Sequence, residues 1–208
     1  MGSFARRIFL AVAVAGLVGA CSQAGAAGAG KIADGEMTMG SANAKVTMIE
    51  YASVTCPHCA RFNDEVFPQF KAKYIDTGKV RYVFREFLTP PQQVAAAGFL
   101  MARCAGKDKY FSVVDAIFHS QQEMFSSGDV RGVLLRIGRS AGLTDDKSLA
   151  CIGDEKQLAA LNDRFEKAIN VDKIDGTPAF VINGKKLESG EKTLAQLDAE
   201  IQPLLAKK

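Results

Sequence analysis

The chain reads as an α/β domain carrying an inserted block of helices, and three features of the sequence predict that class. Two compact β-branched and apolar runs, V-T-M-I-E-Y (46–51) and V-R-Y-V-F-R-E-F-L (80–88), flank an amphipathic segment. From Pro90 to about Asn170 the periodicity turns helical throughout, with Gly, Asp and Lys at the joints. Strand signal then returns in P-A-F-V-I-N-G-K-K-L (178–187), and a closing amphipathic helix runs from about Leu194 to Leu205. With 208 residues and no internal repeat, one sizeable core with a helical insertion over about 90–170 accounts for the chain.

The first thirty residues do not read as fold. Arg6 and Arg7 make a short cationic start, and the apolar run that follows, I-F-L-A-V-A-V-A-G-L-V-G-A, has thirteen residues. A bilayer span takes about twenty, so the pattern fits an export signal. Two exits are open. V-G-A-C (18–21) resembles a bacterial lipobox, which would make Cys21 the lipid-modified first residue. Ala26 ends A-G-A (24–26), which equally suits ordinary signal cleavage. R-R-I-F-L also resembles a twin-arginine signal, although Ala5 replaces the usual serine or threonine. Residues 24–30 form a small-residue tether, so the folded domain is expected over 31–208. Without the leader the chain carries 24 basic against 23 acidic residues, and no basic stripe remains to attract nucleic acid.

Within the core, V-T-M-I-E-Y is expected as a buried strand. The helix after it places Phe62, Val66, Phe67, Phe70 and Tyr74 on one face, and Pro68 should bend it by removing a backbone hydrogen bond. D-T-G-K (76–79) is turn chemistry before the second strand. In the block that follows, the segments 94–104, 110–118, 130–138 and 158–169 show helical spacing, and N-G at 183–184 marks a hairpin.

Between the first strand and its helix stands T-C-P-H-C. A structural zinc site fits poorly, because His58 and His119 are the only histidines and Cys104 and Cys151 lack paired spacing. A bracing disulfide between Cys56 and Cys59 would close almost no loop. Redox chemistry uses position as well as spacing. Pro57 suits the first helical position, which puts Cys56 at the N-cap, where unpaired backbone N–H groups and the helix dipole favour a thiolate. His58 can add a donor or positive charge, and Cys59 lies one turn on as the resolving thiol. No metal or other cofactor is required. His119, ending F-S-V-V-D-A-I-F-H, reads as a helix-terminal residue rather than a catalyst.

E-Y-A-S-V-T-C-P-H-C, followed by an amphipathic helix and by G-T-P-A-F-V-I-N-G about 120 residues on, resembles the DsbA-like thiol:disulfide oxidoreductases of the bacterial periplasm, from roughly Met37 to Leu205. The resemblance implies a thioredoxin fold with an inserted all-helical subdomain. It implies a cis peptide at Thr177-Pro178 beside the sulfurs, with the backbone of Thr177 open to a substrate strand. It also matches Glu50 to the buried acid under the resolving cysteine, a candidate proton relay. Cys104 and Cys151, both in the helical block, are expected to pair as a structural disulfide in an oxidising compartment, as in some relatives. The implied activity is that of a monomeric periplasmic dithiol oxidase in a Gram-negative bacterium, acting on reduced exported proteins and reoxidised by a DsbB-type membrane partner. It would touch the membrane only through a lipid on Cys21.

Two other readings stay open. Threonine before the cis-proline also occurs in disulfide isomerases and reductases, though those isomerases use an N-terminal dimerisation domain, and here about fifteen residues separate Lys31 from the first strand. A Cu(I)-binding metallochaperone could use the cysteine pair, with Met37, Met39 and Met48 upstream, but few methionines or histidines cluster near it.

Overall fold

The computed structural model describes Met1 and residues 32–207. The expected export leader, Cys21 with its proposed lipid and the expected tether lie outside the described residues.

Five strands form one mixed sheet: β1 (Met37–Met39), β2 (Val46–Ala52), β3 (Val80–Glu86), β4 (Ala179–Ile182) and β5 (Lys185–Lys186), in the spatial order β1-β3-β2-β4-β5. β2 and β3 are parallel, whereas β1, β4 and β5 run antiparallel to their neighbours. A parallel pair needs a crossover, and the helix behind the cysteines supplies it. β2 is central and buried on both faces, which is why it reads as a continuous apolar run. Its side chains alternate, so Met48 and Glu50 face one layer while Ile49 and Tyr51 face the other. On the first face lie Phe62, Phe70, Phe180, Leu197 and Ile201. The second is covered by Ala168, Ile174 and Phe165.

The crossover is α1 (Pro57–Glu65), α2 (Phe67–Phe70) and a π turn (Lys71–Ile75), where the sequence suggests one bent helix. The break falls at Val66, with φ −114°, two residues before Pro68. Proline has no N–H for the carbonyl four residues back and its ring crowds that carbonyl, so the chain restarts a new turn rather than bending through. Phe62, Phe70 and Tyr74 reach the core as the spacing predicts.

The insertion comprises α3 (Gln92–Cys104), α4 (Lys107–His119), α5 (Gln121–Ser127), α6 (Val130–Ser140), α7 (Asp145–Ile152) and α8 (Glu155–Asn170). α5 and α7 have no counterpart among the segments the periodicity picks out. With seven and eight residues they span barely two turns, too few for a repeat to show. The start of α7 was nonetheless encoded locally, since Thr144 caps it and Asp145 and Asp146 fill its first turn. The insertion docks on β3 through Glu86, whose buried carboxylate accepts from Arg103 Nε at 2.6 Å, Arg164 Nη2 at 2.7 Å and Tyr110 Oη at 3.1 Å. It also packs against the loop after β2: a Cβ on Gly98 of α3 would lie 3.0 Å from Val54 Cγ2.

Cys104 of α3 and Cys151 of α7 form a disulfide, with Cα atoms 6.1 Å apart. The bridge closes 47 residues of chain. Replacing both by serine is expected to lower unfolding stability by about 4 kcal/mol through loop entropy. Denaturant unfolding would check this, with the Cys56 ionisation unchanged; an unchanged midpoint would mean that the bridge stabilises nothing.

The turn of the β4–β5 hairpin is Asn183-Gly184, with φ +46° and +84°, the left-handed pair that a type I′ turn requires. α9 (Leu194–Ala206) starts with a capping box between Thr193 and Gln196. No described helix is long and apolar enough to cross a membrane.

Candidate functional site

The site forms where β2 gives way to α1. Three buried residues, Ser53 to Thr55, make the turn, and hydroxyls pin it: Ser53 Oγ lies 3.0 Å from Thr55 Oγ1, which lies 2.8 Å from Thr89 Oγ1. The backbone N–H of Cys56 donates to Ser53 O at 3.0 Å. Cys56 is the N-cap of α1, with φ −87° and ψ 119°, and Pro57 begins the helix. The sulfur of Cys56 accepts from the Cys59 N–H at 3.4 Å, the bond an N-cap side chain makes to the third residue of a helix.

The two thiols are driven apart. Cys56 is pulled down from the ordinary 9.0 to about 6, chiefly because the Cys59 thiol donates to it; burial opposes this, and Thr177 and the backbone N–H groups of Cys59 and His58 add to it. Cys59 is wholly buried and lies well above the usual range, through burial first and then its hydrogen bond and charge coupling to Cys56 and the charge of Glu50. One thiol is therefore a thiolate at neutral pH, and the other keeps its proton.

Glu50 lies beneath them. The alternation of β2 turns it into the layer under α1, it is 3% exposed, and Tyr82 Oη donates to its Oε2 at 2.7 Å. Burial pushes its carboxyl up to about 8; the Tyr82 bond lowers it, and the charge of Cys56 raises it. The carboxyl lines a cavity of about 270 Å³ with Asn63, Phe67, Tyr82 and Asp115.

The Thr177-Pro178 peptide is cis, immediately before β4, and the carbonyl of Thr177 lies 3.4 Å from Cys56 Sγ. Thr177 Oγ1 is buried with no partner in hydrogen-bond geometry, yet its side chain lies near enough to Cys56 to favour the thiolate. A second cis peptide, Pro90-Pro91, precedes α3, and nothing in the sequence analysis pointed to it.

His58 turns its ring to the loop between β5 and α9. The side chain is 60% exposed, with Nδ1 2.5 Å from Glu191 Oε1, so residue 58 reaches the sulfur through its backbone N–H rather than its ring. His119 ends α4, with Nδ1 2.9 Å from Asp115 O and Nε2 3.5 Å from Asp64 Oδ1. Cys104 and Cys151 stay in the insertion. Among the described residues no group of three or more His, Cys, Asp or Glu is placed to hold a metal.

One site residue went unnoticed in the sequence. Gln121, the first residue of α5, buries its side chain and donates through Nε2 to Val54 O at 2.8 Å and Cys56 O at 3.1 Å. It satisfies two carbonyls of the cysteine loop from the inserted block. The available signal was a glutamine in a short helix, which periodicity does not distinguish from a solvated one.

A sequence model of the thioredoxin family matches residues 33–202. A Rickettsia bellii protein provisionally named a protein-disulfide oxidoreductase is 36% identical over 160 residues, covering 76% of this chain and 61% of its own. The chain thus spans about three-fifths of the length of that relative. Disulfide bond formation protein D of Bacillus subtilis is 22% identical over 157 residues, or 74% of this chain and 71% of that one. Among solved structures, alpha-DsbA1 of Wolbachia pipientis superposes with a TM-score of 0.76 at 32% identity, covering 84% of this chain and 92% of its own.

Proposed function

From the premise that the chain belongs to the DsbA-like branch of the thioredoxin family, we propose that it is a thiol:disulfide oxidoreductase working as a dithiol oxidase on exported proteins. The observation that carries this reading is the split between the thiols, Cys56 drawn down to about 6 and Cys59 held up.

In the oxidised enzyme a substrate thiolate attacks Cys56 Sγ. The Cys56–Cys59 bond breaks, and its electron pair leaves on Cys59, which takes a proton. The new bond is a mixed disulfide between substrate and Cys56. A second substrate thiolate then attacks the substrate sulfur and expels Cys56 as a thiolate. The substrate loses two electrons and the enzyme gains them, ending as the dithiol.

Each group has a part in this scheme. Pro57 and the helix N-terminus make Cys56 a good leaving group. Glu50, neutral near pH 7 and close enough for its charge to act on the buried thiol, would relay the proton of Cys59. The cis Thr177-Pro178 segment, with its carbonyl against Cys56 Sγ, offers a backbone edge to an extended substrate. Work in an oxidising compartment, a monomeric state, reoxidation by a DsbB-type membrane partner and a lipid on Cys21 belong to the same proposal. The Cys104–Cys151 bridge agrees with such a compartment.

The thiol energetics favour the oxidase direction. At pH 7 a thiol lowered from 9.0 to about 6 stabilises the reduced form by about 1.4 kcal/mol, about 30 mV toward oxidant, and the gain grows until about pH 9. Equilibration with glutathione buffers should therefore give a potential a few tens of mV above the roughly −270 mV of thioredoxin. Alkylation of the reduced protein should be half-maximal near pH 6. A potential at the reducing end would replace the oxidase with a reductase or isomerase.

A further inference from the structure

One carboxylate grips the catalytic helix from a distant part of the chain. Glu191 sits in the loop between β5 and α9, and its Oε1 meets His58 Nδ1 at 2.5 Å and accepts from Arg61 Nη1 at 3.1 Å. The loop is fixed from the cis-proline side: the Gly190 N–H donates to Pro178 O at 2.9 Å, and Ser189 Oγ donates to Asp175 Oδ1 at 2.7 Å. Lys192, the next residue, turns its ammonium onto the carbonyls of Gly190 and Glu191 rather than toward the helix. Glu191 thus spans the two walls of the site, from the segment that would present substrate to the first turns of α1. The backbone N–H of His58 helps to stabilise the Cys56 thiolate, while the ring of the same residue is held by Glu191.

We propose that Glu191 is a positioning residue for disulfide exchange: it turns the His58 imidazole away from Cys56 and offsets the cationic side of α1, which keeps the Cys56–Cys59 couple less oxidising than its C-P-H-C helix would otherwise be. The inference rests on Cys56 being the redox nucleophile. Physically, a carboxylate bound to an imidazole fixes the ring and cancels its charge seen from the sulfur. Released, the ring of His58 can swing to the helix N-terminus, where a donor or a positive charge favours the thiolate. The contact is partly exposed, so its influence is modest and weakens with salt.

The test uses the full chain and four forms: wild type, Glu191→Gln, His58→Ala and the double variant. Ionisation of Cys56 is followed by thiolate absorbance, and the redox equilibrium is set against glutathione at low and high salt. Glu191→Gln is expected to raise the Cys56 ionisation constant about threefold at low salt, and to shift the redox equilibrium toward reduced protein by the same factor, about 14 mV. In the His58→Ala background that effect should fall below half. No shift, or a shift toward weaker ionisation, overturns the proposal. An equal shift without His58 overturns it too, because Glu191 would then act by charge alone. A wild-type Cys56 that titrates as an ordinary thiol sinks the oxidase reading itself, whereas a low midpoint indifferent to Glu191→Gln sinks only this inference. Thermal unfolding of each variant confirms that the fold is intact.

Discussion

Replacing Cys56 by serine will abolish disulfide exchange, by at least about a thousandfold, because a serine hydroxyl stays protonated where this cysteine is a thiolate. Replacing Cys59 by alanine will have a different signature. Cys56 remains able to attack a disulfide, but no neighbouring thiol can release the product, so mixed disulfides accumulate and turnover stops. The same change removes the thiol that contributes most to lowering Cys56, whose ionisation should move back toward the ordinary range. Mass spectrometry of the protein after reaction with a disulfide peptide would show the adduct on Cys59→Ala and none on Cys56→Ser. A Cys59→Ala protein that turns over at the wild-type rate would place the resolving thiol elsewhere.

Glu50→Gln is the second large effect, and it splits into a rate and a stability. Glutamine keeps the acceptor for Tyr82 Oη but can neither take nor give the proton of Cys59, so thiol–disulfide exchange should slow most where that proton must move. Stability should change in the opposite sense. In the folded protein Glu50 holds its proton up to about pH 8, whereas an unfolded chain loses it near 4.5. The native state therefore binds more protons across that window, and wild-type stability falls as pH rises through it. Each pH unit within the window carries about 1.4 kcal/mol, which amounts to about 3 kcal/mol at pH 7 and about 5 kcal/mol above pH 8. The glutamine variant escapes this cost. It should match wild type below about pH 4.5 and become progressively more stable above it, which denaturant unfolding at several pH values would measure on the reduced proteins. A stability difference that does not change with pH would show that Glu50 titrates normally, and the relay would lose its physical basis.

The sequence disclosed what depends on local chemistry. Cys56 at an N-cap with Pro57 behind it, the Asn183-Gly184 turn, and the apolar runs of β2 and β3 are each specified by a few neighbouring residues. The burial of Glu50 was open at that level, because a lone acid in an apolar strand can face either way until the sheet order is known. β2 proves central, and the two-residue period then places Glu50 under α1. What stayed hidden depends on distant chain meeting. Gln121 and Glu191 lie 65 and 133 residues from the groups they hold, in a short helix and a loop with no pattern to mark them. The contact of the His58 ring is hidden for the same reason: its carboxylate partner, Glu191, lies far along the chain. The break at Val66 shows a milder form: Pro68 marks the place in the sequence, but not whether the helix bends or restarts there.

The double hydrogen bond from Gln121 has a consequence for how modular this protein is. The carbonyl of Val54 takes its donor from α5, and that of Cys56, which already accepts from the Ala60 N–H at 3.1 Å, gains a second one there. Gly98 of α3 likewise lies against Val54 so closely that no side chain could stand between them. A shortened protein joining Thr89 to the segment before β4 would keep every strand and both redox cysteines. It would nonetheless expose the floor of the cysteine loop to water and leave the first turn of α1 held from one side. The helical block thus does more than interrupt the strands: it is a wall of the cysteine site, and excising it is expected to return a sheet and a helix rather than a smaller working site.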